Sequence, residues 1–391
     1  MIEFHDNLSE EHVMLRESIR KMVDREYPVE VARKIDEEDR HPREVVGVLA
    51  KMGITGILVP EEYGGHGRDT LGAYIVLEEL ALRSLVLSWV FVEHSFYGAE
   101  TINAFGNKWQ KDYFFKKLLS GEYIFAFGLT EPDGGTDLAA LKTMATRDGD
   151  KFIINGSKMF ISAPNVADYL VLLVRTNKEV QKHKGLTFLL VDLKSPGIVA
   201  MPIPKLGAHG SDTCSVSFED VEVPVANVLG GPENIDNGWK QLLHLLDVEH
   251  GQLGASSVGL ARASFEAAYK YSLERHAFGK PIIEFQAVNH MLAEMRTNIL
   301  AAQLMVYHLA ALIDAGKPCS AEGAMTKYFT TKVARDVSLM GMEIHGGYGY
   351  CKEYDISRFV KDSLVLPIGG GTPQANKNII ANDLIRRARS K

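Results

Sequence analysis

The sequence predicts an α+β multidomain protein, in which a helical N-terminal part, a β-rich middle part and a helical C-terminal part follow one another. Apolar residues recur at helical spacing up to about residue 120 and again after about residue 234. Short β-branched and aromatic runs separated by turn residues fill the segment between. We therefore expect domains at residues 1–120, 121–234 and 235–391, with a compact β-barrel or sandwich in the middle.

Capping residues and apolar spacing define the helices of the N-terminal part. Ser9, followed by two glutamates, is a typical N-cap and predicts a helix that begins after it. Apolar spacing predicts further helices over residues 43–52, 71–82, 89–105 and 109–119.

The middle part carries strand signals and a polar loop. Residues 152–162 hold two β-rich runs joined by Asn155-Gly156, which predicts a hairpin because both turn positions tolerate a positive φ. More strands are predicted over 169–175, 187–193 and 214–223. The loop Leu129–Asp137 and the strand Lys158–Ser162 offer backbone N–H groups, hydroxyls and an aromatic wall. Such a set suits a planar, hydrogen-bonding ring system, although a capped turn beside a hairpin would look the same.

One carboxylate lies on the apolar face of the first C-terminal helix, which is predicted over residues 239–274. At about 100° per residue, Glu249 points the same way as several leucines, whereas His244 and Asp247 turn away. The other members of this face are Leu242, Leu246, Leu253, Ser256 and Leu260. A buried charge costs free energy, so Glu249 must be paired, neutralised or functional. A salt bridge to a neighbouring element and a solvated edge of the face are the alternatives.

Composition and motifs disfavour several classes of function. Apolar residues make up 46% and charged residues 24%, and the net charge of −7 comes from mixed signs, so nothing favours nucleic acid or an anionic membrane. No window approaches a membrane span and no signal peptide is apparent. The 13 histidines and three cysteines show no metal-ligand spacing, and the glycines at 346–349 lack the dinucleotide fingerprint.

Three further helices are predicted in the C-terminal part, over 285–315, 321–344 and 374–389.

Four segments in fixed order make the chain resemble the acyl-CoA dehydrogenase family of flavoproteins, from about residue 9 to residue 385. They are Leu129–Asp137, Ile154–Ser162, Glu274–Lys280 with Gln286, and His345–Gly349. The resemblance implies an N-terminal helical domain, a β domain and a C-terminal four-helix-bundle domain. It also implies FAD as cofactor, a homotetramer built as a dimer of dimers, and electron-transfer flavoprotein as the electron acceptor.

The resemblance assigns the cofactor site by position. The residues that would line the flavin ring are Phe127, Thr130, Thr136, Phe160 and Ser162. Those that match contacts to the FAD of a neighbouring subunit are Arg275, Phe278 and Gln286. The cofactor site would be completed by Glu343, Gly346, Gly347, Thr372 and Gln374.

The family reaction removes an α-proton from an acyl thioester while the β-hydride passes to flavin N5, which leaves a trans-2-enoyl thioester. Most members carry the base in a loop of pattern Tyr-Glu-Gly-Thr, but here that loop is Gly369–Thr372, with Gly370 in place of the acid. Either dehydrogenation has been lost, or the base comes from elsewhere. Isovaleryl- and long-chain-type members place their glutamate on a C-terminal-domain helix, and Glu249 matches that position. The resemblance therefore implies that Glu249 is the base.

The substrate site is predicted less specifically. The residues assigned to it are Thr136, Asp247, His250, Glu93, Gly369 and Gly370. Asp247 ranks below Glu249 because it points away from that face, and His250 stands where many relatives have arginine, near the CoA or acyl carrier. Two interpretations of Glu93 are open. It lies on a solvated helix face, or it acts in the pocket, as a polar floor or as an alternative base for a cyclic substrate. Because Gly370 has no side chain, we expect space for a branched, cyclic or bulky acyl group.

Three other functions stay open from the sequence. The acyl group could be carried by a carrier protein rather than CoA, or the enzyme could reduce enoyl thioesters. A relative that binds thioesters without redox chemistry is the third. The missing transit peptide leads us to expect a cytoplasmic protein, with a bacterial cytoplasm favoured.

Overall fold

The structure is a computed structural model that describes residues 8–390. The first helices are α1 Glu10–Glu26, α2 Val29–Glu37, α3 Glu44–Lys51, α4 Thr70–Arg83, α5 Leu85–His94, α6 Thr101–Phe105 and α7 Lys108–Leu119. The strands of the middle part are β1 Phe125–Gly128, β2 Met144–Asp148, β3 Lys151–Ile161, β4 Tyr169–Arg175, β5 Leu186–Asp192, β6 Ile198–Pro202 and β7 Cys214–Pro224. The last elements are α8 Gly238–Glu274, β8 His276–Ala277, β9 Lys280–Pro281, α9 Gln286–Asp314, α10 Ser320–His345, α11 Ile356–Ser363 and α12 Pro373–Arg389. The predicted helix–strand–helix order is confirmed.

Two N-terminal predictions show how local signals worked. Ser9 is the N-cap of α1, and its hydroxyl accepts a hydrogen bond from the backbone N–H of His12 at 3.3 Å. The helix predicted over residues 89–105 instead begins at Leu85 and contains a π-helical segment, Ser95–Glu100, between α5 and α6. An inserted π turn shifts the direction in which the following side chains point.

The strands of the middle part form one curled, seven-stranded sheet, which confirms the expected β domain. Its strands run in the order β1-β4-β2-β3-β7-β6, and β5 also pairs with β4. β4 and β5 are buried along nearly their whole length, as expected of strands covered on both faces.

The predicted hairpin at Asn155-Gly156 is wrong. β3 runs without interruption through both residues, and the turn of the hairpin lies before it, at Gly149. Asn155-Gly156 is a bulge in the pairing of β3 with β7, where the Asn155 amide donates to Asp220 at 2.9 Å. At Gly156 φ is +145°, and a Cβ atom would lie 2.7 Å from the Cα of Thr143. The glycine therefore serves a close strand approach instead of a turn.

The helix that carries Glu249 is held tightly by the N-terminal part. α4 packs along α8, and Gly259 allows the approach, because a Cβ atom there would lie 2.4 Å from the carbonyl oxygen of Glu78. Arg262 of α8 donates to Glu79 of α4 at 2.8 Å, and both side chains are almost fully buried. Apolar packing and this buried pair fix the position of α8.

α9 departs from one prediction. Among residues 8–390, it is the single helix long and apolar enough to cross a membrane, so the expectation of no such window is wrong by length and composition. Core helices of water-soluble bundles pass the same test, and α9 packs against α8 and α10. Only 33% of its most apolar window is buried, which leaves an apolar surface on the bundle.

Candidate active site

Glu249 lies directly beside the loop position that lacks an acid. A Cβ atom at position 370 would be 3.5 Å from Oε1 of Glu249. The same atom would lie 2.2 Å from Cδ1 of Leu253, and the φ of Gly370 is +60°, a conformation that L side chains rarely adopt. The carboxyl of Glu249 thus stands where an acid from the loop would have to reach.

The packing around Gly370 removes the reason for expecting a large acyl group. Gly370 was expected to leave open space, but Leu253 and Glu249, one turn apart on α8, already occupy the surroundings of position 370. The lost side chain has been replaced by two others. The preference for a branched, cyclic or bulky acyl group therefore stays a prediction without support from this position.

Glu249 is an unpaired carboxylate of altered basicity. Its side chain makes no hydrogen bond or ion pair within residues 8–390, so the salt bridge considered from the sequence is not formed there. Burial raises the pKa of Glu249 to about 7, and the positive charge of Lys327 opposes that rise. A carboxyl group with a pKa near neutrality can both take up and release a proton at working pH.

Lys327 is a site residue that the sequence analysis missed. It lies on α10 with a fully buried side chain, and its Nζ donates to the carbonyl oxygens of Pro367 and Gly371, the former at 3.0 Å. Burial lowers the pKa of Lys327 to about 8, while Glu249 opposes the shift. The signal was present, because Lys327 sits on the same helix face as Ala324 and Ala334, as a charge among small buried residues.

Glu249 also lines a narrow cavity between α8 and the π-helical segment. Tyr97, Phe127, Glu100 and Gln252 are among the other lining residues. The rings of Tyr97 and Phe127 stack with centroids 5.1 Å apart. Phe127 therefore connects the expected flavin-lining residues to the predicted base.

The neighbours of Glu249 on α8 have different environments. Asp247 accepts a hydrogen bond from Ser320 Oγ at 2.6 Å, which engages this acid with the start of α10. His250 is buried, and burial together with the charge of Lys327 lowers its pKa to about 4. A neutral imidazole cannot supply the positive charge that an arginine would carry at this position.

Glu93 is not on a solvated face, so that alternative is wrong. Its side chain is buried, and its carboxylate oxygen lies 2.9 Å from Nε2 of His41. Burial raises the pKa of Glu93 and His41 opposes this rise. Glu93 does not line the cavity beside Glu249, so its role as a pocket floor or base stays a prediction.

The expected flavin-lining segments are joined by a buried lysine. Lys158 of β3 donates to the carbonyl oxygen of Leu129 at 2.9 Å and pairs with Glu131 at 3.0 Å. Next to it, Phe160 has a φ of +61° and leaves 62% of its side chain exposed. A large exposed ring on such a backbone is typical of a surface that another group covers. The remaining members of this set are half-buried or exposed on the same loop and strand: Thr130, Thr136 and Ser162.

A second, open cleft gathers other predicted cofactor residues. Arg275, Gly346 and Gly347 line it together with Tyr348, whose ring lies 5.7 Å from the guanidinium of Arg275. Phe278 is nearby in sequence and 97% exposed, with a φ of +50°. Gln286 and Glu343 are exposed at the start of α9 and the end of α10, whereas Thr372 caps α12 and Gln374 is exposed on its first turn.

Comparison with known protein families identifies the family of the chain. Three domain models match in order: acyl-CoA dehydrogenase N-terminal domain over residues 9–122, middle domain over 126–221 and C-terminal domain over 236–385. The chain belongs to the acyl-CoA dehydrogenase family. It is accordingly an FAD-dependent oxidoreductase, and the family, fold and cofactor expected from the sequence are confirmed.

Individual members of the acyl-CoA dehydrogenase family match the chain over almost its full length. A subunit of the caffeyl-CoA reductase-Etf complex of Acetobacterium woodii is 33% identical, over 97% of this chain and 99% of that protein. Glutaryl-CoA dehydrogenase of Desulfococcus multivorans is 36% identical, over 96% and 97%. The structure of butyryl-CoA dehydrogenase from Megasphaera elsdenii superposes with a TM-score of 0.92 at 31% identity, covering 98% of this chain and 100% of that one.

Proposed function

We propose that the protein oxidises an acyl-CoA thioester to the trans-2-enoyl thioester, with Glu249 as the base that takes the α-proton. The observation that carries this proposal is the position of Glu249, which fills the space beside Gly370 with an unpaired carboxylate. Its pKa of about 7 suits a base that must accept a proton and later release it. Two members of the family that match the chain are named as dehydrogenases of acyl-CoA substrates.

The residues present fit FAD. Phe160 offers an exposed ring on a backbone of positive φ, and Lys158 fixes the hydroxyl-bearing loop beside it. We propose the residues assigned from the resemblance as its contacts, with Arg275 and Phe278 serving a neighbouring subunit. Bound FAD supplies the hydride acceptor that no side chain can provide.

The chain's own groups handle the proton. Glu249 Oε receives it, and the aromatic pair Tyr97 and Phe127 keeps water from this carboxyl. Lys327 ties the loop at Pro367 and Gly371 to α10 and limits the rise in the pKa of Glu249. Proton transfer is thereby matched to neutral pH.

A panel of thioesters tests the proposal. We expect anaerobic absorbance of the bound flavin at about 450 nm to be bleached within seconds by at least one saturated acyl-CoA of the panel. The panel should vary chain length and branching, and include carrier-protein thioesters of the same acyl groups. Strong preference for butyryl-CoA would contradict the branched or bulky prediction, and bleaching by carrier-protein thioesters alone would replace CoA as the carrier.

Reduction of enoyl thioesters is the second candidate function. The relative from Acetobacterium woodii is named as a reductase in a complex with Etf, which supports this direction and an electron-transfer flavoprotein partner. Enzyme reduced with dithionite distinguishes the two, because a reductase reoxidises its flavin faster with 2-enoyl-CoA than it is reduced by acyl-CoA. Lack of any spectral response to thioesters would instead favour a protein that binds thioesters without redox chemistry.

We also propose that the protein is a homotetramer. Phe278 is 97% exposed, Tyr350 86% and Ile368 67%, and α9 leaves an apolar surface on the C-terminal bundle. Such surfaces favour association between copies. Light scattering of the FAD-loaded protein should give four times the chain mass of 43.3 kDa, whereas a monomer at micromolar concentration would refute the proposal.

Relatives in bacteria support a bacterial cytoplasmic location, which cell fractionation would test.

A further inference from the structure

The wall of the cavity beside Glu249 contains polar side chains that removal of the α-proton does not require. Glu100, at the end of the π-helical segment, and Gln252, one turn after Glu249 on α8, both line it. Each is 1% exposed. One oxygen of each side chain, Oε2 of Glu100 and Oε1 of Gln252, is buried without a hydrogen-bond partner in the described part of the chain. Two residues of the cavity wall therefore each hold a buried acceptor that has no donor among the described residues.

The positive charge beside Glu100 comes from Arg68, which Glu100 shares with Asp314. Its other oxygen, Oε1, accepts a hydrogen bond from Arg68 at 2.7 Å, and Arg68 also lies 3.7 Å from Asp314. One guanidinium thus serves two carboxylates. His244 is 3.9 Å from Glu100, but burial and the charge of Arg68 lower the pKa of this imidazole, so it adds no positive charge at neutral pH. Burial raises the pKa of Glu100, and the charge and hydrogen bond of Arg68 oppose that rise.

We propose that the acyl group oxidised by this enzyme carries a hydrogen-bond donor, a hydroxyl or a protonated amine, which Glu100 and Gln252 receive. This inference rests on the proposed dehydrogenation. The helix provides the approximate reach: His244, which contacts Glu100, lies five residues before Glu249 and Gln252 three residues after it, roughly 7 Å and 4.5 Å along the axis. A donor at the sixth carbon of a straight acyl chain lies within about that range from the α-carbon.

A plain alkyl chain would leave both acceptors unpaired in the cavity. A site built around hydrogen bonds discriminates strongly against an analogue that lacks the bonding group, since the buried polar atoms of the protein then lose their partner. The polar wall thus selects substrates by the group at the end of the acyl chain that lies away from the thioester. Dehydrogenation takes place at the other end, beside Glu249.

Matched thioesters test this selection in the FAD-loaded protein. We expect 6-hydroxyhexanoyl-CoA or 6-aminohexanoyl-CoA to reduce the flavin with at least about tenfold higher efficiency, as rate constant over apparent Kd, than hexanoyl-CoA. If the amine wins and Glu100→Gln removes its advantage, the donor is a cation. If the hydroxyl wins and Gln252→Leu removes its advantage, the donor is neutral.

Controls separate this inference from the proposed function. Glu62→Gln, at an exposed position of the same N-terminal part, should leave all three efficiencies unchanged. The comparison of the three thioesters in the wild-type protein needs no variant, so a misfolded variant cannot decide the outcome. Equal or better use of hexanoyl-CoA overturns the inference while dehydrogenation stands. No flavin reduction by any thioester overturns the proposed function, and the inference with it.

Discussion

Replacing Glu249 by glutamine should lower the rate of flavin reduction by substrate about 10³-fold, while the protein keeps its yellow FAD. General bases contribute about 10²–10⁴ to such rates, and glutamine has nearly the same shape but no basic oxygen. Because Glu249 has no ion-pair or hydrogen-bond partner in residues 8–390, the substitution leaves no partner unpaired. Rapid-mixing absorbance of the flavin under anaerobic conditions measures the effect.

A matched control lies on the same helix. Glu266 is also a partly buried carboxyl of α8 with a raised pKa caused by burial, but it belongs to a different cleft, near Arg20. Glu266→Gln should reduce the rate less than threefold. If Glu249→Gln retains the wild-type rate, another group takes the proton, and Glu93 with its partner His41 becomes the next residue to substitute.

Much of the site was predictable because its signals are local. The spacing of α8 placed Glu249 on an apolar face, and the gap at Gly370 could be seen in the sequence. Ser9 caps α1 through a contact between residues three positions apart, so a short pattern was enough to find it. Signals of this kind depend only on neighbours along the chain.

The missed features depend on residues far apart in the sequence. Asn155-Gly156 carries a hairpin signal, but its geometry is determined by Asp220 and Thr143 on neighbouring segments. His41, in the loop between α2 and α3, meets Glu93 of α5, and no helical periodicity could reveal this contact. The expectation of open space at Gly370 was wrong for the same reason, since the side chains around that position, Leu253 and Glu249, come from α8.

The positive charge of Lys327 should determine the pH dependence of proton transfer to Glu249. Removal of its positive charge by Lys327→Met should raise the pKa of Glu249 above its present value of about 7, because Lys327 is the group that opposes the effect of burial. Only the deprotonated carboxylate accepts a proton. The acid limb of the pH profile of flavin reduction should therefore move to higher pH by at least one unit, with about a tenfold loss of rate at pH 6.

The other titratable groups near Glu249 keep their charge state over the pH range of this experiment. His250 is neutral above about pH 4, and burial keeps the pKa of Tyr97 well above its ordinary value, so Lys327 is the charge that changes. Lys332→Met, at an exposed lysine farther along α10, is the matched control and should leave the profile unchanged. If Lys327 only fastened the loop through Pro367 and Gly371, its loss would lower the rate equally at every pH. A shift of the limb with the rate at high pH preserved identifies an electrostatic role for Lys327, whereas a uniform loss would contradict it.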